Sequence, residues 1–197
     1  MTTAARQFPA PEPDAAIIRR SLREPECFAS VFDRYYAAIH GYVARRLGES
    51  LADDLASETF LIAFARRDRY DLERADAQPW LFGIASNLVA RHHRAEQRRY
   101  RVMARTGVDE VIESHADQVV VRLDAMARQS ALAAALSGIP AKDRDVLLLI
   151  AWAGLTSEQA GQALGIPAGT ARSRLHRARQ QIRAALERTG HHDHTRG

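Results

Sequence analysis

Residues 155–179, LTSEQAGQALGIPAGTARSRLHRAR, constrain the fold more than any other stretch of the chain. Thr156 places a side-chain oxygen where a helix can begin, and Gln159 three residues on completes the capping-box pattern. Gly165-Ile166-Pro167 then stops that helix, and a second one starts near Thr170. Gly161 has no side chain to hold a neighbouring helix away. Two short helices across a tight turn, the second carrying Arg172, Arg174, Arg177 and Arg179, are the layout of a DNA-binding helix-turn-helix. Arginine forks suit phosphates and guanine edges. An ordinary solvated helix would show the same charges, but the capping, the turn and the basic second helix in this order favour DNA.

The remainder of the chain is helical in pattern, and no strand-like alternation of any length interrupts it. A helix is predicted from Asp14 through Ile17, Ile18 and Leu22, and Pro25 suits the first turn of the next. That next helix carries Phe28, Val31, Phe32, Tyr35, Ile39, Val43 and Leu47 at three- and four-residue steps, and Gly48 ends it. Ser50 can cap the following helix, whose Leu51, Leu55, Phe60, Ile62 and Phe64 cover a wide apolar arc. Asp54, Glu58 and Leu61 recur at i, i+4 and i+7 and share one face. That face reads either as a dock for a basic partner or as a solvated acidic surface. On the residues alone the second is the commoner case.

A polar loop, 70–78, leads to Pro79, which opens a helix through Trp80, Leu81, Ile84, Ala85 and Leu88. Trp80 reads as core. This helix turns basic at Arg91, His92, His93, Arg94, Arg98 and Arg99, and Asn87 offers a forked polar group at the start of the basic half. Periodicity fails over 101–118, where Asp109, Glu110, Glu113 and Asp117 bring acid and few apolar residues accompany them. It resumes with Leu123, Met126, Leu132 and Leu136, breaks at Pro140, and returns in AKDRDVLLLIAWAG, the expected core helix of a second domain. The expected fold is all-α: two small helical domains joined by a flexible linker, the C-terminal one containing the helix-turn-helix. The expected bounds are an N-terminal arm at 1–13, a first domain at 14–100, the linker at 101–118, a second domain at 119–188 and a fraying tail at 189–197.

Composition narrows the function classes. A hydrophobic share of 46% over 197 residues is enough for packed cores, so the chain is not a disordered tail protein. A net charge of +4 permits a polyanionic partner. Arginine excess is weak support for it, because Lys142 is the only lysine and the bias extends to the whole chain. Cys27 stands alone, which excludes a disulfide framework and a cysteine-based metal site; it is expected as a small buried hydrophobe. The longest apolar run, 146–153, is far too short to span a bilayer, and a cytoplasmic protein is expected. No P-loop, nucleophile elbow or zincin-type histidine pair occurs, so neither an enzyme nor a cofactor or metal site is expected.

Taken together, these parts resemble the sigma-70 family of bacterial transcription initiation factors, most closely the small two-domain extracytoplasmic-function class. FASVFDRYYAAIHGYVARRLG, ADDLASETFLIAF and PWLFGIASNLVARHHR are similar to successive parts of region 2, and the segment from LAAALSGIP to RARQQI is similar to region 4. The resemblance implies core RNA polymerase, through its beta and beta-prime subunits, and promoter DNA as partners. An anti-sigma protein is a common further partner in this class. It also implies that Asp53, Asp54, Glu58 and Leu61 face the polymerase, reversing the preference for a plain acidic surface.

By the same resemblance, the loop 70–78 and Asn87 would hold the melted −10 strand, with Arg91, Arg94 and Arg98 on its phosphates. Arg172, Ser173, His176 and Arg177 would meet the −35 duplex, with Arg174 and Arg179 mainly on its backbone. The loop before Trp80 lacks the aromatic and Arg-Gly residues often found there, which leaves the −10 base preference open. A stand-alone helix-turn-helix regulator is the main rival. It explains 155–179 and leaves the acidic face and the Asn87 helix without a task.

Overall fold

The computed structural model describes residues 12–106 and 135–193, and every regular element among them is helical. The chain divides into two compact units, Met1–Ala85 and Ser86–Gly197. The division falls inside a helix. The expected arm is almost wholly outside the described residues, as are most of the expected linker, the apolar positions Leu123, Met126 and Leu132, and the last four residues of the tail.

In the first unit, Asp14–Ser21 forms α1, which buries Ala15, Ile17 and Ile18. A 3-10 turn, Pro25–Phe28, with proline at its start, passes directly into α2, Ala29–Leu47. Gly48 ends α2 at φ 88°, in the region that only glycine enters without strain. A second 3-10 turn, Glu49–Leu51, precedes α3, Ala52–Ala65. Ser50 is not the cap that the sequence suggests. It lies inside the 3-10 turn, Leu51 takes the N-cap position, and no side chain caps α3. Asp53 and Asp54 in the first turn supply the negative charge that the unpaired N–H groups favour.

The core of this unit is a set of interlocked side chains from α1, α2 and α3 and the start of α4, Gln78–Thr106. Ile17, Ile18, Val31, Ile39, Tyr42, Val43, Leu81 and Phe82 are all buried to 1% exposure or less. Full burial of a large apolar side chain contributes about 1.5–3 kcal/mol against the entropy of ordering it. Rings meet edge-on where helices cross: Tyr42 with Phe82 at 5.3 Å, Phe28 with Phe64 at 5.5 Å and Phe32 with Phe60 at 4.9 Å. Two expectations change. Trp80 is only half-buried, leaning on Tyr70 at 5.0 Å. Cys27 is likewise half-buried, its Sγ receiving Arg20 Nε at 3.2 Å.

The second unit is built on α5, Ala141–Ala153, whose Val146, Leu147, Leu148 and Leu149 are buried. Gly154, at φ 69°, ends it. Then comes α6, Ser157–Leu164, opened by the capping box that the sequence announces. Thr156 Oγ1 accepts from the Gln159 amide at 3.1 Å, and Gln159 Oε1 accepts from the Thr156 amide at 2.9 Å. Gly165 ends α6 at φ 64°, and the Ile166 amide donates back to Gly161 O at 2.9 Å.

The last helix, α7, spans Ala168–Asp193 and packs on both α5 and α6 through Ala171, Leu175 and Ala178. It starts two residues before Thr170, because Pro167 O already accepts the Ala171 amide at 3.0 Å. It also continues past Leu186, where fraying is expected from the sequence, to Asp193.

Candidate nucleic-acid and partner interfaces

Three sets of side chains stand out from the packed faces. The first lies on α3. Asp54 is exposed, Glu58 is half-buried, and Leu61 is 67% exposed, the largest exposure of any large apolar residue described. Steps of four and three residues keep these side chains within an arc of about 60°. Leu55, Ala56, Phe60 and Ala63 turn inward and hold that face outward. Asp53 lies about 100° around the helix from Asp54. Its carboxylate accepts from Tyr36 Oη at 3.0 Å and sits 3.2 Å from His40 Nε2, so Asp53 belongs to the α2–α3 seam as much as to the acidic face. The carboxylate raises the Tyr36 phenol above its ordinary pKa by accepting its hydrogen bond.

The second set lies on α4. Asn87, Arg91, Arg94 and Arg98 are all exposed. Their spacing of four, three and four residues puts all of them within about 60° of one line along the helix. Leu88 and Val89 are buried beside them, so the stripe is fixed to the solvent side. Ahead of α4 runs the loop 71–77, with Asp71, Glu73, Arg74 and Ala75 exposed. The loop is closed by internal bonds: Arg74 Nε donates to Asp71 Oδ2 at 2.9 Å, and Tyr70 Oη to Arg74 O at 2.6 Å. Burial pushes the Tyr70 hydroxyl far above its ordinary pKa, so it remains a donor at every pH of interest.

The third set is on α7. Arg172, His176 and Arg179 share one exposed face at steps of four and three residues. Ser173 and Arg177 occupy the next face, and Ser173 Oγ donates to Thr170 O at 3.0 Å. Arg174 is half-buried and lies nearest the packed side. Arg179 therefore shares its face with Arg172 and His176, and Arg174 lies apart from it. Arg177 has a partner that periodicity could not reveal. Its Nε and Nη2 both reach the carboxylate of Asp143 on α5, each at 3.0 Å. Asp143 is 5% exposed. The guanidinium holds this carboxyl below its ordinary pKa, and the carboxylate raises the guanidinium in turn.

Sequence reasoning also passed over Asp14 in α1. This carboxylate is 1% exposed and is filled by donors from α2 and from the loop before α4. Its only local signal was its place at a helix start. Among the described residues no cluster of three or more histidine, cysteine, aspartate or glutamate side chains could hold a metal ion, and no helix is long and apolar enough to cross a membrane.

Comparison with known proteins adds to this geometry. Residues 31–99 match the family model described as Sigma-70 region 2, and residues 129–182 match that described as Sigma-70, region 4. The ECF RNA polymerase sigma factor SigD of Mycobacterium tuberculosis is 32% identical over 174 residues, covering 87% of this chain and 80% of the relative. SigW of Bacillus subtilis, also an ECF RNA polymerase sigma factor, is 29% identical over 170 residues, covering 83% and 90%. Among solved structures, CnrH in complex with the cytosolic domain of CnrY superposes with a TM-score of 0.61 at 23% identity, over 88% of this chain and 97% of that one. The sigma factor RpoE of Bartonella quintana, in complex with the anti-sigma factor NepR, gives 0.60 at 23% identity, over 81% and 96%. These two share the fold.

Proposed function

Because the chain belongs to the sigma-70 family of RNA polymerase sigma factors, and to its extracytoplasmic-function class, we propose that its three exposed sets divide the work of promoter opening. The protein is a transcription initiation factor that binds core RNA polymerase, recognises −10 and −35 promoter elements and promotes initiation. RNA synthesis is the polymerase's chemistry.

The α3 face is the polymerase dock. An exposed leucine flanked by two carboxylates suits a partner with an apolar pit and a basic rim, and Asp53 borders it. The α4 stripe and the loop before it take the melted −10 strand. Asn87 reads a base edge while Arg91, Arg94 and Arg98 follow phosphates along the same line. On α7, Arg172, His176 and Arg179 face the −35 duplex with Ser173 and Arg177 beside them, and Arg174 serves the backbone. The RpoE structure contains an anti-sigma factor, and a protein of that kind covering the α3 face is the regulator proposed here.

The observation that carries this reading is the coexistence, on one chain matched in both regions, of an outward acidic–apolar face and two separate basic stripes. A duplex-only regulator needs just one of the three. The test is run-off transcription by purified core polymerase on a genomic DNA pool, with and without the protein. Sigma-dependent transcripts from a discrete promoter set are expected. Failure to associate with core, or tight specific duplex binding unaided, overturns the reading.

A further inference from the structure

We propose that Asp14 is a positioning residue for promoter recognition: a buried carboxylate in α1 that fixes the shape of the loop 71–77 before DNA arrives. The inference rests on the reading that this loop meets the melted −10 strand.

Both oxygens of the carboxylate are paired. Oδ2 accepts the Ala77 amide at 2.8 Å and the Tyr35 hydroxyl at 2.6 Å, and the Arg34 guanidinium bonds Oδ1. The Asp14 amide donates to Ala75 O at 3.0 Å. One residue of α1 thus grips the loop at both Ala75 and Ala77. Asp76 ties the loop to α4 instead. Tyr35 Oη lies 3.2 Å from Asp76 Oδ1, and that same oxygen accepts the Gln78 amide at 2.8 Å, where α4 begins. Tyr35 has one hydroxyl proton, and the shorter approach gives it to Asp14. Burial and the two carboxylates push its pKa far up, so this donor does not titrate.

The arrangement exceeds what α1 needs. An acid in a first helical turn is stabilising while exposed, through the unpaired N–H groups. Burying that acid costs desolvation, which only full pairing offsets. Here one of the carboxylate's three donors is a loop amide 63 residues further on, and the Asp14 amide adds a bond to Ala75 O, 61 residues on. With Ala75 and Ala77 held from behind, and Arg74 bonded to Asp71 within the loop, the exposed residues Asp71, Glu73 and Arg74 are presented in one conformation. A loop ordered in advance does not lose that entropy on binding.

The experiment compares Asp14→Asn and Tyr35→Phe with the parent, using transcription from two promoter libraries, one randomised at −10 and one at −35. Core binding and the exchange rate of the Ala77 amide are measured in parallel. Asp14→Asn should lower −10 discrimination about tenfold, within the roughly hundredfold that a 1 Å misplacement can cost a positioned site. Exchange at Ala77 should quicken, while −35 discrimination and core binding hold. Tyr35→Phe, which keeps the ring, should give a smaller loss in the same direction.

An unchanged −10 profile, or equal loss at both elements, overturns the proposal. Should Asp14→Asn not fold, Tyr35→Phe decides by the same criteria. A double substitution, Glu73→Ala with Arg74→Ala, separates the two levels of argument. If it leaves the −10 profile unchanged, the loop reading itself has failed. If it changes the profile while the Asp14 and Tyr35 variants do not, only the positioning role has.

Discussion

Arg177 on the basic helix grips Asp143 on the core helix with two parallel hydrogen bonds of 3.0 Å, tying α7 to α5 across 34 residues of sequence. The Nε–Nη2 edge is occupied, which leaves both Nη1 hydrogens and the outer Nη2 hydrogen of Arg177 outside the pair. The pair also makes a pH prediction. Because Arg177 depresses the Asp143 pKa, the unfolded chain binds that proton more readily than the folded one. The pair's stabilisation is complete above the unfolded value, about 3.9, and is lost as pH falls from there through the depressed folded value. Thermal unfolding between pH 7 and pH 3 should show Asp143→Asn less stable than the parent at neutral pH, with the gap closing in acid. A gap that is constant with pH would mean the charge pair is not its source.

Gly161 allows a second test. A Cβ built there would lie 2.8 Å from Ile166 O, a backbone atom that cannot swing aside. Alanine favours a helix over glycine by about 1 kcal/mol, but overpacking of this kind costs about 1–3 kcal/mol. Gly161→Ala should therefore lower stability and displace α7 from α6. Thermal melts and −35 duplex binding should fall together. A more stable variant would show that the turn relaxes freely.

The α3 face is tested by charge reversal. Asp54→Arg with Glu58→Arg leaves Leu55, Phe60 and Ala63 in place, so folding should persist. Association with core polymerase should drop by at least about a hundredfold, the scale of two reversed contacts at about 1.4 kcal/mol per tenfold. Thermal melting of the variant should match that of the parent. Co-elution of the variant with core enzyme would refute the dock.

Salt dependence tests the α4 stripe. Each arginine that neutralises a single-strand phosphate adds about 0.7 to the slope of log affinity against log salt. Single alanine substitutions at Arg91, Arg94 and Arg98 should each lower that slope by about this amount for −10 single strands and leave base preference alone. Asn87→Ala should do the opposite, relaxing selectivity with the slope unchanged. Fluorescence anisotropy across a salt series distinguishes the two.

What could be read from the sequence follows the range of the interactions. Thr156 and Gln159 cap α6 three residues apart, and Gly48, Gly154 and Gly165 end helices through their own φ angles, so local rules suffice. That Asp54, Glu58 and Leu61 share one face also follows from periodicity, and the exposure of Leu61 agrees. Tyr42 escaped the α2 stripe although it is fully buried, because its seat under Phe82 depends on a helix forty residues away. Ser50 looked like a cap until the 3-10 turn displaced it. Asp14 and Asp143 were invisible for a stronger reason. A buried carboxylate is recognisable only by its partners, and these lie 20–63 and 34 residues distant.

The unbroken course of α4 through Asn87, Arg91, Arg94 and Arg98 turns sequence into a ruler. At about 1.5 Å per residue, Asn87 and Arg98 stand about 16 Å apart along one line, and no joint between them allows separate adjustment. Inserting or deleting one residue anywhere between would rotate everything beyond it by about 100° and carry the later arginines off the shared face. Substitutions there cost one contact at a time, whereas a single length change misaligns several at once. On the proposed role, this stretch should tolerate a change of composition better than a change of length.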